Sequence, residues 1–184
     1  MKRFWTTALL LAACACSHLT TVAPATVDLS GTWVLDARRS DSPPPMGHRR
    51  SEAEENEDRS TSYGGQPPPH FGGPMPLLPM LTATQMTIGQ DPQSMGIEYP
   101  NQPYRDVKWG EQKRGLFTID AGWDNQRRLI IVTKSEPMTV HEMYSLNDVG
   151  NTLTLEIDLS SKRMGDRHIT RIFNRKPVAT EPAR

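Results

Sequence analysis

The stretch Thr152-Leu153-Thr154-Leu155-Glu156-Ile157-Asp158-Leu159 alternates a polar side chain with a branched apolar one through four full periods. A period of two belongs to a strand with one face in water and the other on a core. Just upstream, Met138, Val140, Tyr144 and Leu146 repeat the pattern, broken only by Glu142. Further short runs of the same kind occupy Ala83 to Gly89, Met95 to Tyr99, Tyr104 to Trp109, Gly115 to Asp120, Arg128 to Lys134 and Arg167 to Arg175. Between them stand turn residues, among them Asp91-Pro92, Pro100-Asn101-Gln102-Pro103, Gly110-Glu111, Asp124-Asn125 and Asn147-Asp148-Val149-Gly150-Asn151. A leading strand within Asp28 to Asp36 puts Leu29, Gly31, Trp33 and Leu35 on alternate positions. No helical stripe of useful length interrupts the series.

Eight or nine consecutive strands with short connections describe an antiparallel meander. Closing it removes the exposed edges that would otherwise template aggregation. The sequence therefore predicts an all-β fold, an up-and-down barrel or a strongly curled sheet built from residues 28–36 and 82–176 within one domain at 28–176. Residues 41–80 hold nine of the 16 prolines and five of the 13 glycines, around a run of mixed charge. Too little apolar surface is available there to offset chain entropy, which predicts a disordered insertion after the first strand. Its end, from Met75 to Leu81, is apolar and reads as a lead-in to the next strand, with the alternative that it lies across the mouth of the barrel or docks on a partner. Residues 177–184 read as a disordered tail.

The 21 basic and 21 acidic side chains balance, and they are interspersed, so no basic stripe is available for phosphates and a nucleic-acid partner is not expected. The only cysteines, Cys14 and Cys16, sit near the start of the chain. That excludes a disulfide framework or a thiolate metal site in the body. Met1-Lys2-Arg3 followed by the apolar run Phe4 to Ala13 reads as an export signal, too short to span a bilayer as a mature helix. The run closes on Leu11-Ala12-Ala13-Cys14, which resembles the lipobox of bacterial lipoproteins. The resemblance implies a signal peptide at 1–13, lipidation at Cys14 with palmitate among the acyl chains, and, from Ala15 at the following position, sorting to the outer membrane. Residues 14–27 then form a lipidated, flexible tether.

Gly31-Thr32-Trp33 on the first strand of such a meander resembles the lipocalin-like superfamily, whose members carry Gly-x-Trp there. The resemblance implies an arginine on the last strand packed over the tryptophan to close the barrel. Arg171 and Arg175 are the candidates, and a guanidinium stacked on an indole is favourable on physical grounds as well. The opening Gly-Thr-Trp-Val-Leu-Asp, the Gly122-Trp123-Asp124-Asn125 turn and the final Arg-x-aromatic-x-Arg strand are similar to a group of uncharacterised secreted bacterial proteins. The lipocalin Thr-Asp-Tyr motif and the helix after the last strand are absent from this sequence.

No Gly-rich phosphate loop, His-Glu-x-x-His or Gly-x-Ser-x-Gly occurs. His141 and Glu142 adjoin on one strand and so face opposite ways, and they cannot share a site without a bulge. Neither an enzyme, a metal nor a cofactor is expected. Tyr99, Tyr104, Trp109, Phe117 and Trp123 are candidates to line an apolar cavity, or equally to fill the core. The sequence thus points to an envelope lipoprotein whose barrel binds or carries a small hydrophobic ligand without catalysis. The alternative is a structural or protein-interaction module with a filled barrel, docking an envelope protein partner. Cys14→Ser should abolish palmitate labelling and release the protein from membranes; unchanged labelling and fractionation would end the lipoprotein reading.

Overall fold

The computed structural model describes residues 19–43, 78–136, 138–162 and 165–177. Cys14, most of the 41–80 insertion and all of the tail but Pro177 lie outside the described residues. Ten strands form one antiparallel sheet: β1 (Gly31–Leu35), β2 (Gln85–Gln90), β3 (Ser94–Glu98), β4 (Arg105–Lys108), β5 (Gly110–Arg114), β6 (Phe117–Trp123), β7 (Leu129–Ser135), β8 (Met138–Leu146), β9 (Thr152–Ser161) and β10 (Arg167–Arg175). Their order is β4-β3-β2-β1-β10-β9-β8-β7-β6-β5. Every neighbour in that order except β1–β10 is also a neighbour in sequence. The first and last strands meet, and the sheet curls into a nearly closed up-and-down barrel whose seam lies between β4 and β5.

The tenth strand beyond the expected eight or nine is β5. Its sequence Gly-Glu-Gln-Lys-Arg has no apolar residue, and Gly110-Glu111 read as a turn. It is an edge strand, and charge on an edge discourages pairing with another chain, so the apolar alternation is not needed there. Elsewhere the alternation holds. In β9, Leu153, Leu155, Ile157 and Leu159 are buried; in β8, Met138, Val140, Glu142 and Tyr144; in β10, Ile169, Arg171 and Phe173.

The closure between β1 and β10 pairs Trp33 with Arg175 and Leu35 with Phe173. Trp33 is fully buried and donates its indole N–H to Leu29 O at 2.8 Å. The Arg175 guanidinium carbon lies 4.4 Å from the Trp33 ring centroid. Its Nη1 and Nη2 donate to Ser30 O and Asp28 O at 2.5 and 2.8 Å, and Nε to Gly150 O at 2.8 Å. Of the two candidates, Arg175 is the one on the tryptophan. Gly31 has φ +127°, and a Cβ there would come within 3.3 Å of Arg175 Nη1. The glycine of the Gly-x-Trp motif is thus set by backbone conformation and by the approaching guanidinium.

Arg171 does something else. It is buried under a four-residue helix, α1 (Pro79–Thr82), and donates Nη1 to Leu81 O at 2.5 Å and Nη2 to Ala83 O at 2.6 Å. Leu78, Met80 and Leu81 are buried on the core. The apolar end of the insertion is therefore not simply a lead-in to β2: residues 78–82 cap one end of the barrel. Asp41 at the insertion's other end also belongs to the folded body, since Thr170 N donates to its carboxylate at 2.7 Å and Asp41 N donates to Thr170 O at 2.8 Å. The expected disorder over 41–80 thus does not apply to these two ends.

The described part of the expected tether is likewise not free. Thr20 forms an antiparallel bridge with Trp123, with N–H···O distances of 2.9 and 2.8 Å in the two directions. Pairing between β5 and β6 stops at Gly110 and Ala121, so the outer backbone groups of Trp123 lie beyond the end of β5. Residue 20 takes both. Gly122 permits the approach, because a Cβ there would stand 2.8 Å from Thr20 O. Among the described residues, no helix is long and apolar enough to cross a membrane.

Candidate functional site

Strand alternation sends Glu142 of β8 inward, where it is completely buried. An isolated carboxylate in such a place is prohibitively unfavourable, so it needs a cation and hydrogen bonds. Arg105 of β4 supplies both. Its Nη1 and Nη2 donate to the two Glu142 oxygens at 2.7 Å each, a bidentate pair. Tyr144, two residues along β8 and on the same face, donates its hydroxyl to Glu142 Oε2 at 2.8 Å. Burial tends to lower the Arg105 pKa, but the Glu142 carboxylate more than offsets this and holds it well above the usual value. Burial first, and then the Glu142 charge, push the Tyr144 hydroxyl well above its ordinary value.

Tyr99 completes the cluster. It is 4% exposed, and its hydroxyl lies against Arg105 and Tyr144, whose hydrogen bonding works against the effect of burial on its pKa. Burial pushes its pKa up to about 12, with the Arg105 and Glu142 charges acting on it in opposite senses. The cluster is thus a neutral ion pair ringed by two protonated phenols.

Arg105 is not sealed off. Its side chain keeps 18% exposure, and it forms part of the wall of a pocket of about 250 Å³ at the capped end of the seam. Leu78, Pro79 and Met80 of the cap form one side, Pro103 and Tyr104 the β4 side, and Phe117 and Ile119 the β6 side. Arg114 also lines the pocket, and it pairs with Asp106 across the seam at 3.2 Å. Three larger depressions, of about 680, 860 and 690 Å³, are lined largely by turn and outer-face residues. Away from the seam, the barrel centre is filled by side chains such as Trp33, Trp123, Tyr144 and Phe173, none of them exposed.

The five aromatics singled out from sequence do not share one cavity. Tyr104 and Phe117 line the seam pocket, and Tyr99 lies inside beside the ion pair. Trp109 and Trp123 stack edge to face at the opposite end, with ring centroids 5.8 Å apart. Trp109 donates its indole N–H to Pro92 O at 3.1 Å. Tyr104 is 61% exposed because it precedes β4 out of phase with Arg105 and Val107. His141 faces outward from β8 while Glu142 faces inward. His141 stands opposite Asp158, which in turn pairs with His168 at 2.6 Å. That contact raises the His168 pKa. Among the described residues, no group of three His, Cys, Asp or Glu side chains could hold a metal ion.

Sequence reasoning missed the Arg105–Glu142 pair, although part of the signal was there. Glu142 breaks an apolar alternation and so must point inward, and Arg105 shares the phase of Val107. The register that brings these two walls together was not legible.

A fold that keeps Tyr99 and Tyr144 protonated binds more protons than the unfolded chain once tyrosine begins to ionise near pH 10. Stability is therefore full below about pH 10 and falls as pH rises toward about 12, the value for Tyr99. Tyrosinate absorbance followed together with far-ultraviolet circular dichroism checks this: Tyr99 and Tyr144 should ionise only as the strands melt. Ionisation of both near pH 10 with the sheet intact would contradict it.

No known protein family matches the chain, and no curated protein does. Among solved structures, the crystal structure of a secretory abundant heat soluble protein from Ramazzottius varieornatus is similar over 50% of this chain and 70% of that one, at 13% identity and a TM-score of 0.38. A likeness that partial bears on neither family nor function.

Proposed function

We propose that this protein is a lipid-anchored lipoprotein of the bacterial cell envelope, held at Cys14 on the periplasmic face of the outer membrane, and that its barrel binds a small hydrophobic ligand without catalysis. The observation that carries the binding part is the seam pocket. It is the place where an apolar concavity meets a buried polar cluster, the usual composition of a small-molecule site. Its volume of about 250 Å³ is below the usual scale of roughly 300–1,000 Å³, which limits the ligand to a small molecule rather than a phospholipid. The anchor rests on the Leu11-Ala12-Ala13-Cys14 motif. Three acyl chains bury many methylenes at about 0.8 kcal/mol each, sufficient for stable attachment.

A second reading, a structural or protein-interaction module of the envelope, is favoured by a specific observation: away from the seam the interior is filled by fully buried side chains. The two readings separate in one experiment. Protein begun at Ala15 and purified from several expression hosts should carry a small apolar adduct in native mass spectrometry. The adduct should be lost on replacing Ile119, in the pocket wall, with Trp. Uniformly clean apo-protein would favour the filled module.

A further inference from the structure

We propose that the seam pocket selects a small apolar ligand bearing an uncharged hydrogen-bond acceptor, such as an ester, amide, ketone or alcohol, and discriminates against a carboxylate. This deepens the binding reading above and rests on it. Two cations line the pocket, and each already has its anion: Arg105 is held bidentate by Glu142 at 2.7 Å, and Arg114 pairs with Asp106 at 3.2 Å. The walls therefore contribute no net charge.

What they do contribute is donors. A guanidinium carries five N–H groups, and Glu142 engages one on each of the two terminal nitrogens of Arg105. The part of Arg105 that remains exposed is at the pocket. Tyr99 lies behind it, buried against Arg105 and Tyr144 and outside the pocket wall, so the N–H groups of Arg105 that Glu142 leaves are the donors at this place. A carbonyl or hydroxyl oxygen on a ligand would accept from Arg105 without adding charge. A carboxylate would place a second anion close to the completely buried Glu142, where poor solvation makes like-charge repulsion severe. At about 250 Å³ the space equals roughly eight water volumes, enough for a short chain and one polar head.

The test is calorimetric titration of the protein begun at Ala15 with octanoate, methyl octanoate and octan-1-ol at about pH 7, where the acid is ionised. The ester and the alcohol should bind roughly tenfold or more tightly than octanoate, the scale expected for one uncompensated charge in a partly buried site. Octanoate affinity should rise toward that of the ester as pH falls through the ligand's own pKa. Glu142→Gln, which leaves Arg105 without its anion, should reverse the order, with circular dichroism and Tm confirming that the variant is folded. If that variant does not fold, the pH series on the unaltered protein decides. Octanoate binding as well as the ester at about pH 7, or an unchanged order in folded Glu142→Gln, would overturn the selectivity while leaving a binding barrel in place. No binding by any of the three would remove the binding reading and this one with it.

Discussion

The contact on which the barrel depends is the stack of Arg175 on Trp33, where the last strand meets the first. Strands β2 to β4 and β5 to β10 can be laid down in order by short turns, since each of those hairpins is local. The β1–β10 pair is not local, and it must repay the loop entropy of the whole chain between them. It does so by concentrating interactions. The buried indole of Trp33 donates to Leu29 O, and the guanidinium over its face ties down the carbonyls of Asp28, Ser30 and Gly150. A cation over a tryptophan face contributes about 0.5–2 kcal/mol, depending on how far it is desolvated. Three charge-assisted hydrogen bonds add to it. One side chain thus fixes the segment before β1, β1 itself and the β8–β9 turn.

Closure at β1–β10 leaves the opening elsewhere. Only Trp109 separates β4 from β5, yet the two strands do not pair, and the gap is bridged instead by the Arg114–Asp106 ion pair and by Gln112 Nε2 donating to Lys108 O at 3.0 Å. The same gap admits Arg105 to the interior, where it neutralises Glu142. A buried ion pair is weak evidence for stability, since an apolar pair of equal volume often does as well. It stands next to the only break among the described strands of the sheet. Losing either partner alone would leave a buried charge, which ties the state of the pocket to the fold.

Much of the wall was legible in the sequence and much of the site was not. The alternation in β8, β9 and β10 is strong because those strands each have a wet face and a buried face, so burial is written in every second letter. The Gly31-Thr32-Trp33 motif named the closure, and the choice between Arg171 and Arg175 needed only the register. β5 escaped because an edge strand at a seam buries little and can be wholly polar. The cap at Leu78 to Thr82 stood only as an alternative in the sequence because a single turn starting on Pro79 has no periodicity to read. The aromatic set was split because position along a barrel is not encoded by residue type: Trp109 and Trp123 sit at one end, Tyr104 and Phe117 at the other. Thr20 docks on Trp123 through backbone atoms alone, which no side-chain pattern announces.

Amide hydrogen exchange resolved by strand tests this arrangement most directly, because protection reports which edges are hydrogen-bonded. With the barrel closed at Trp33 and Arg175 and open at the seam, the β1 and β10 amides should exchange as slowly as those of β8 and β9. The outward edges of β4 and β5 should exchange fast. Rapid exchange along β1 and β10, or protection of β4 and β5 equal to that of the central strands, would contradict it.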